Sequence, residues 1–457
     1  MTGRHDPMQL IASLSAPLLG LAIGWRRARH AEMRLGALVG TICIALAALP
    51  SVAAAAAYAN PDLPGPALDV PTATLAAAMT CSPGFTTSTG QPVLLVPGTA
   101  ATAAANFSWN VEPALTAEGF PWCAITPLEN QLGDIQIAAE YDVYAIRTMH
   151  AQTHRKVAII GHSQGGLQPR WALRFWPDVR AEVDKWIGVA ASNHGASATS
   201  AVYIPFADCS VTCPPALWQQ AAGSSFVQAV NGPQETFPGI DYTSIYTTND
   251  EVVTPDTGPT ACSSCLSGPS SQVSNIAIQQ ICPGRYAEHL ELIADAVMWA
   301  IAQDALTHNG PAAAARINRA VCGQLLMPGV TANSAGHALA LLQLANAVPI
   351  TVEHLQPAPP TLRCYVYADC TPTVPLHITV TPNKAVLHKS VELRFLVTVT
   401  VDGITQPVPG ATVWFGNGRT VTTDATGQAS ARLAFGKGAR RRAIATDPEY
   451  FPDTAII

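Results

Sequence analysis

Four short apolar runs, each closed by Gly, Ser or Asn-Asp, constrain this chain more than any other feature. They are "QPVLLVPG", "KVAIIG", "DKWIGVAAS" and "DYTSIYTTND", and segments of helical periodicity such as "EYDVYAIRTMHAQ" stand between them. Apolar runs this short, without polar alternation, are strands buried on both faces, and strands that alternate with helices join in parallel through crossovers. The spacing predicts an α/β domain with a mostly parallel central sheet covered by helices on both faces.

At 457 residues the chain is longer than one compact domain usually runs, and its pattern changes near Cys370. From "PLHITVTPNKAVLHKSVELRFLVTVTV" onward, apolar and polar residues alternate in short strands, with turn signals at Asp402-Gly403 and Thr426-Gly427. That stretch fits a small all-β sandwich. Its "TTDATGQASA" resembles the repeated motif of bacterial immunoglobulin-like modules, and we read it as a spacer or binding module. The expected organisation is a targeting region over 1–59, an extended Pro-rich lead-in over 60–75, the α/β domain over 76–370 and the sandwich over 371–457.

Only 12% of residues are charged and the formal net charge is −6, with Lys and Arg clustered only in "GWRRARHAEMR" and "KGARRR". A nucleic-acid partner is therefore not expected. "MRLGALVGTICIALAALPSVAAAAAYA", Met33 to Ala59, has the positive start, apolar run and small-residue tail of a secretory signal. Its apolar run is shorter than the roughly 20 residues that span a bilayer, which disfavours a permanent anchor. The upstream run "MQLIASLSAPLLGLAIGW" reads either as a second membrane-inserting segment or as sequence ahead of a start at Met33. Export places the protein outside the cell or on its surface. The ten cysteines left after Cys43 departs with the signal form an even set that suits an oxidising compartment.

In "KVAIIGHSQGGLQPRWALRFW" an apolar strand runs into Gly161-His162-Ser163-Gln164-Gly165 and then into a helix. A sharp strand-to-helix turn needs residues without a Cβ at its tight points, and it lifts the serine to the carboxyl end of the sheet. Ser163 is thus a candidate nucleophile. Serine needs a base and an orienting acid, which in this arrangement follow in the order Ser, Asp or Glu, His. "SIYTTNDEVVTP" ends a strand at Asp250-Glu251, so Asp250 is the candidate acid, with Glu251 and Asp256 as local alternatives. Of the seven histidines after Ser163, His194 precedes the acid. His308 sits by a Gly-Pro break, His337 and His354 flank or occupy a late apolar helix, and His377 and His388 lie in the β tail. His289 follows the acid in a loop before a long helix and is the candidate base. The N–H of Gln164, with the N–H and hydroxyl of Thr99 after "VLLVPG", would form an oxyanion hole.

"LAAAMTCSPGFTTSTGQPVLLVPGT", "GFPWCAITP", "HSQGGLQPRWALRFWPDVRAEVDKW", "ALWQQAAGSS", "SIYTTNDEVVTP" and the His289 segment occur in this order. Together they resemble the lipase B family typified by the Candida antarctica enzyme, over roughly residues 75 to 370. The resemblance implies an α/β-hydrolase fold, an ester or lipid substrate, and no metal or organic cofactor. It implies Ser163, Asp250 and His289 as triad, Thr99 with Gln164 as oxyanion hole, and Gln220 as a substrate-binding residue of the acyl pocket. It further implies disulfides Cys81–Cys123, Cys282–Cys322 and Cys364–Cys370.

Three departures stand out. Gly161-His162 replaces the family's Thr-Trp, so His162 is expected to alter the alcohol side of the pocket. Ser192 aligns with an acidic pocket residue. Cys209, Cys213, Cys262 and Cys265 are additional; for an exported chain we read them as two disulfides in preference to a zinc site. Paired across the two segments, they would staple the lid region, Thr199 to Trp218, to the loop after the acid. "SAGHALALLQLANAVPI" reads as a helix over the site mouth that meets a lipid interface, or as a core-packing helix.

The expected protein is a secreted, monomeric lipase or carboxylesterase, able to transesterify when alcohol replaces water. The alternatives are a polyester depolymerase with the β tail as binding module, and a surface adhesion protein with an inactive hydrolase domain. Retention of Ser163, Asp250, His289 and Thr99 together argues against the last.

Overall fold

The computed structural model describes residues 57–197, 212–336, 355–368, 376–382, 390–401, 404–415, 419–434, 442–447 and 450–456. The signal region up to residue 56, most of the lid, Cys209, Cys370 and nearly all of the late apolar run lie outside the described residues. In chain order the first part forms α1 (Thr72–Ala77), β1 (Met79–Cys81), β2 (Val93–Val96), α2 (Ala103–Phe107), α3 (Val111–Ala117) and β3 (Trp122–Ile125). It continues with α4 (Ile135–Thr153), β4 (Val157–His162), α5 (Gln164–Phe175), β5 (Val183–Val189), α6 (Pro215–Gln220) and α7 (Ser225–Asn231). Then come β6 (Asp241–Tyr246), β7 (Asp256–Gly258), β8 (Ala261–Cys262), β9 (Val273–Ala277), α8 (Ile278–Ile281) and α9 (Ala296–Thr307).

Seven strands make the central sheet in the order β1-β3-β2-β4-β5-β6-β9. Only β1 is antiparallel to its neighbour; every other pairing is parallel. The four apolar runs of the sequence are β2, β4, β5 and β6, which lie side by side in the middle. Within β2 the side chains alternate between two cores. Leu94 and Val96 join Ile159, Trp186 and the α4 and α5 side chains Ile146 and Trp171. Val93 and Leu95 join Ile160, Ile187 and the α9 side chains Met298 and Ile301 on the other face. Each such aliphatic side chain contributes roughly 1.5–3 kcal/mol by leaving water.

The residues read as an extended lead-in depart from that expectation at their end. Helix α1 begins at Thr72, Leu75 is buried in the core, and the Val70 N–H donates to the Glu140 carboxylate at 2.8 Å. Cys81 and Cys123 are paired in the β1–β3 register and joined by a disulfide, and a second disulfide joins Cys282 to Cys322. Cys262 bonds to Cys265, three residues away. That closes the β8 loop on itself, so these two do not staple the lid segment to it. Cys213 and Cys364 are also disulfide-bonded.

The tail forms β10 (Leu376–Thr381), β11 (Ser390–Val401), β12 (Ile404–Pro407), β13 (Thr412–Phe415), β14 (Arg419–Thr422), β15 (Gln428–Ala434), β16 (Arg442–Asp447) and β17 (Tyr450–Ile456). Strands β10, β11, β12 and β15 make one antiparallel sheet, and β14-β13-β16-β17 make the other. The alternation in "LHITVT" is reproduced as buried and exposed positions in β10. Phe395 of one sheet meets Phe415 of the other at 5.3 Å between ring centroids, so the inner faces share one core, as in a β-sandwich. Among the described residues no helix is long and apolar enough to cross a membrane.

Candidate active site

Strand β4 ends at His162 and α5 begins at Gln164, so Ser163 alone turns the chain. Its backbone lies at φ 57, ψ −124, which a residue with a Cβ holds only when its surroundings impose it. The imposing contacts are specific. The Ser163 N–H donates to the Val189 carbonyl, and the Ser163 carbonyl accepts from the Gly166 N–H, each at 2.9 Å. A Cβ on Gly161 would stand 1.9 Å from the Gly165 carbonyl oxygen, and one on Gly165 would stand 2.0 Å from that of Val96. Glycine on both sides is therefore a steric requirement of the turn. Ala100 after β2 (φ 59) and Ala190 after β5 (φ 49) share the unusual sign of φ. Strain thus gathers at the carboxyl ends of three adjacent strands, where open parallel sheets carry their sites.

Asp250 stands in the turn after β6. Its Oδ1 accepts the N–H groups of Val252 (2.9 Å) and Val253 (2.7 Å), and its carboxylate meets His289 Nδ1 at 3.1 Å and 2.9 Å. With Nδ1–H donating to a carboxylate, Nε2 keeps its lone pair as a proton acceptor. Both side chains are buried. Burial opposes charge on His289. Asp250, through its charge and hydrogen bond, and more weakly Glu251 and Asp256, outweigh it and hold the imidazole above the ordinary histidine value.

The two alternative acids have other partners. Glu251 Oε2 accepts the His289 backbone N–H at 3.0 Å. Asp256 accepts the Ser264 N–H at 3.0 Å and its hydroxyl at 2.5 Å, and burial pushes its carboxyl up to about 7 despite those bonds. Asp250 is the carboxylate on the imidazole.

His162 is 2% exposed. Its Nδ1 lies 3.2 Å from Asn106 Oδ1 and its Nε2 3.4 Å from the His289 carbonyl, with the two imidazole rings 5.2 Å apart. It therefore packs between Asn106 of α2 and the His289 loop. Burial first, then the neighbouring His289, push its pKa down to about 3, so the ring stays neutral.

Thr99 and Gln164 meet at the mouth of the turn. Gln164 is the first residue of α5, whose N–H has no acceptor within the helix, and the helix dipole favours negative charge there. The Thr99 hydroxyl donates to Gln164 Oε1 at 2.7 Å, and Gln220 Nε2 donates to Thr99 Oγ1 at 2.9 Å. Gln219 fixes α6 by accepting the Ile135 N–H at 2.7 Å, which sets its neighbour Gln220 in place. The Ser192 hydroxyl donates to Gln220 Oε1 at 2.9 Å. Sequence reasoning did not single out Asn106, whose Oδ1 accepts the Gly98 N–H at 3.0 Å, nor Gln131, whose Nε2 donates to the Pro97 carbonyl at 3.1 Å. A single polar residue, whether inside short α2 as Asn106 is or in the turn at Gln131, has no spacing that marks it. Among the described residues no group of three or more His, Cys, Asp or Glu could hold a metal ion.

A parallel sheet flanked by helices, with a serine lifted on a glycine-lined turn and an imidazole–carboxylate pair at the same edge, defines an α/β-hydrolase. The model of the family described as Lipase (class 2) matches residues 90–280. Over 320 residues the chain is 28% identical to lipase B of Pseudozyma antarctica, an alignment spanning 69% of this chain and 89% of that protein. The crystal structure of Aspergillus fumigatus lipase B superposes with a TM-score of 0.60 at 30% identity, covering 66% of this chain and 74% of the other. The chain belongs to the lipase B family and is a carboxylic ester hydrolase.

Proposed function

We propose that the protein cleaves carboxylic esters of lipid character by acyl transfer through Ser163. The Ser163 hydroxyl oxygen attacks the ester carbonyl while its proton passes to His289 Nε2, and Asp250 holds the imidazole in the tautomer that can take it. The N–H groups of Gln164 and Thr99, with the Thr99 hydroxyl, stabilise the oxyanion. His289 then protonates the departing alkoxide. A water, deprotonated by His289, attacks the acyl-enzyme, and collapse of the second oxyanion returns the Ser163 hydroxyl and releases the acid. An alcohol in place of that water gives transesterification.

The observation that carries this reading is the strained Ser163 turn between two sterically obligatory glycines, with the buried His289–Asp250 pair after the next strands. The disulfides favour an exported protein. The β-sandwich reads as an immunoglobulin-like spacer or binding module. Hydrolysis of p-nitrophenyl esters of several chain lengths by the wild type and by Ser163→Ala tests the mechanism. Loss of kcat on the order of a million-fold is expected for removal of the nucleophile. Unchanged activity in the variant would sink it.

A further inference from the structure

The buried amides around Thr99 form a relay whose direction is fixed by two backbone carbonyls. A carbonyl oxygen can only accept, so an amide that touches one must turn its NH₂ toward it. Gln131, 1% exposed, presents Nε2 to the Pro97 carbonyl at 3.1 Å, which leaves its Oε1 facing Gln164 Nε2 at a long 3.5 Å. Gln164, fully buried, therefore directs Oε1 to the opposite side, where it accepts from the Thr99 hydroxyl at 2.7 Å and from Gln220 Nε2 at 2.9 Å. One Gln220 Nε2 hydrogen donates to the Ala216 carbonyl at 3.2 Å, so the other is shared between Gln164 Oε1 and Thr99 Oγ1, each 2.9 Å away, while Gln220 Oε1 accepts the hydrogen bond of the Ser192 hydroxyl.

We infer that Gln131 and Gln220 are positioning residues that set the polarity of the Thr99 hydroxyl. Gln220 Nε2 occupies a lone pair of Thr99 Oγ1, so the hydroxyl proton is directed outward to an acceptor. Between turnovers that acceptor is Gln164 Oε1; when negative charge develops on the substrate carbonyl, it is the oxyanion. Exchanging a neutral acceptor for an ionised one is favourable, since charge-assisted hydrogen bonds are about twice as strong as neutral ones. If either anchor amide were lost, Gln164 and Gln220 could turn over, and the hydroxyl could be drawn to a glutamine oxygen throughout the reaction. The inference rests on the acyl-transfer reading above and adds to it the residues that aim one donor of the oxyanion hole.

A double-mutant cycle separates this role from mere packing. Gln131→Met and Gln220→Met are made alone and in a Thr99→Val background, with kcat and KM for a soluble ester and thermal unfolding recorded for each. Thr99→Val alone should lower kcat by roughly 100-fold or more, the usual loss for an oxyanion-hole donor. In the wild-type background each glutamine variant should lower kcat by about 10-fold with KM unchanged. In the Thr99→Val background neither should lower it further. If one variant fails to fold, the other reads out the same coupling. Equal losses in both backgrounds, or an effect on KM alone, would overturn the inference while leaving the Ser163 mechanism intact. Full activity in Ser163→Ala would remove both.

Discussion

In the proposed mechanism His289 takes a proton near neutrality while buried, and the carboxylates around it decide whether it can. Its raised pKa means that the working, neutral base is lost as pH falls through that value, so kcat/KM should drop on the acid side. Glu251 contributes to the raise through its charge while its Oε2 also accepts the His289 N–H. Glu251→Gln keeps an oxygen acceptor and removes the charge, so the acid limb of the kcat/KM profile should move to lower pH with little loss of the alkaline plateau. A limb that stays in place would show that Glu251 acts only through the backbone. His162, held near 3 by burial, adds no titration in that range. Sequence order alone left three carboxylates open after β6. What selects Asp250 is a tight turn in which the Val252 and Val253 N–H groups hold its carboxylate toward the imidazole. That selection depends on backbone direction, which residue types do not reveal.

The elements that the sequence showed are those whose burial on both faces leaves an unbroken apolar run, β2, β4, β5 and β6. Strands β1, β3 and β9 escaped. "MTC" is three residues at the sheet edge and takes its partner from register with Cys123, while "VSNIA" carries polar residues on a half-covered edge. The turn at Ser163 was legible because glycines on both sides leave a visible trace of a steric demand. The relay of Gln131, Gln164 and Gln220 was not, because those residues lie far apart in the chain and meet only after folding. The steric demand can be tested directly. In Gly165→Ala the new methyl would press on the Val96 carbonyl of the neighbouring strand, a rigid backbone atom. Denaturant unfolding should show a loss of about 3 kcal/mol, the upper part of the usual cost of overpacking, and ester hydrolysis should fall with it. A variant of wild-type stability would mean that β2 and β4 can separate locally.

At the scale of the whole molecule, the three disulfides whose two ends are both described fall into two kinds. Cys282–Cys322 closes a separation of 40 residues, whereas Cys262–Cys265 closes one of 3. Restricting the unfolded chain gains more from the longer loop, about 4 kcal/mol on the chain-entropy estimate. The Cys282→Ser/Cys322→Ser double variant should therefore lose far more stability than Cys262→Ser/Cys265→Ser. Equal losses would assign the short disulfide a native-state role at the loop holding Ser264 against Asp256. The change from α/β to all-β was visible in periodicity, because a change of hydrophobic period survives without any tertiary contact. Local pairing of Cys262 was not visible, since four cysteines allow three pairings and spacing does not choose among them.

All twelve residues of α5 are buried. The helix that follows Ser163 therefore offers no position at which selection or design can alter what the enzyme accepts without also disturbing the core. Variation in substrate preference must be written elsewhere, in α2, the turn around Gln131, α6 and the loops after β5 and β6. Directed libraries confined to those segments should yield most of the accessible diversity, with the helix serving as the fixed spine on which it is displayed.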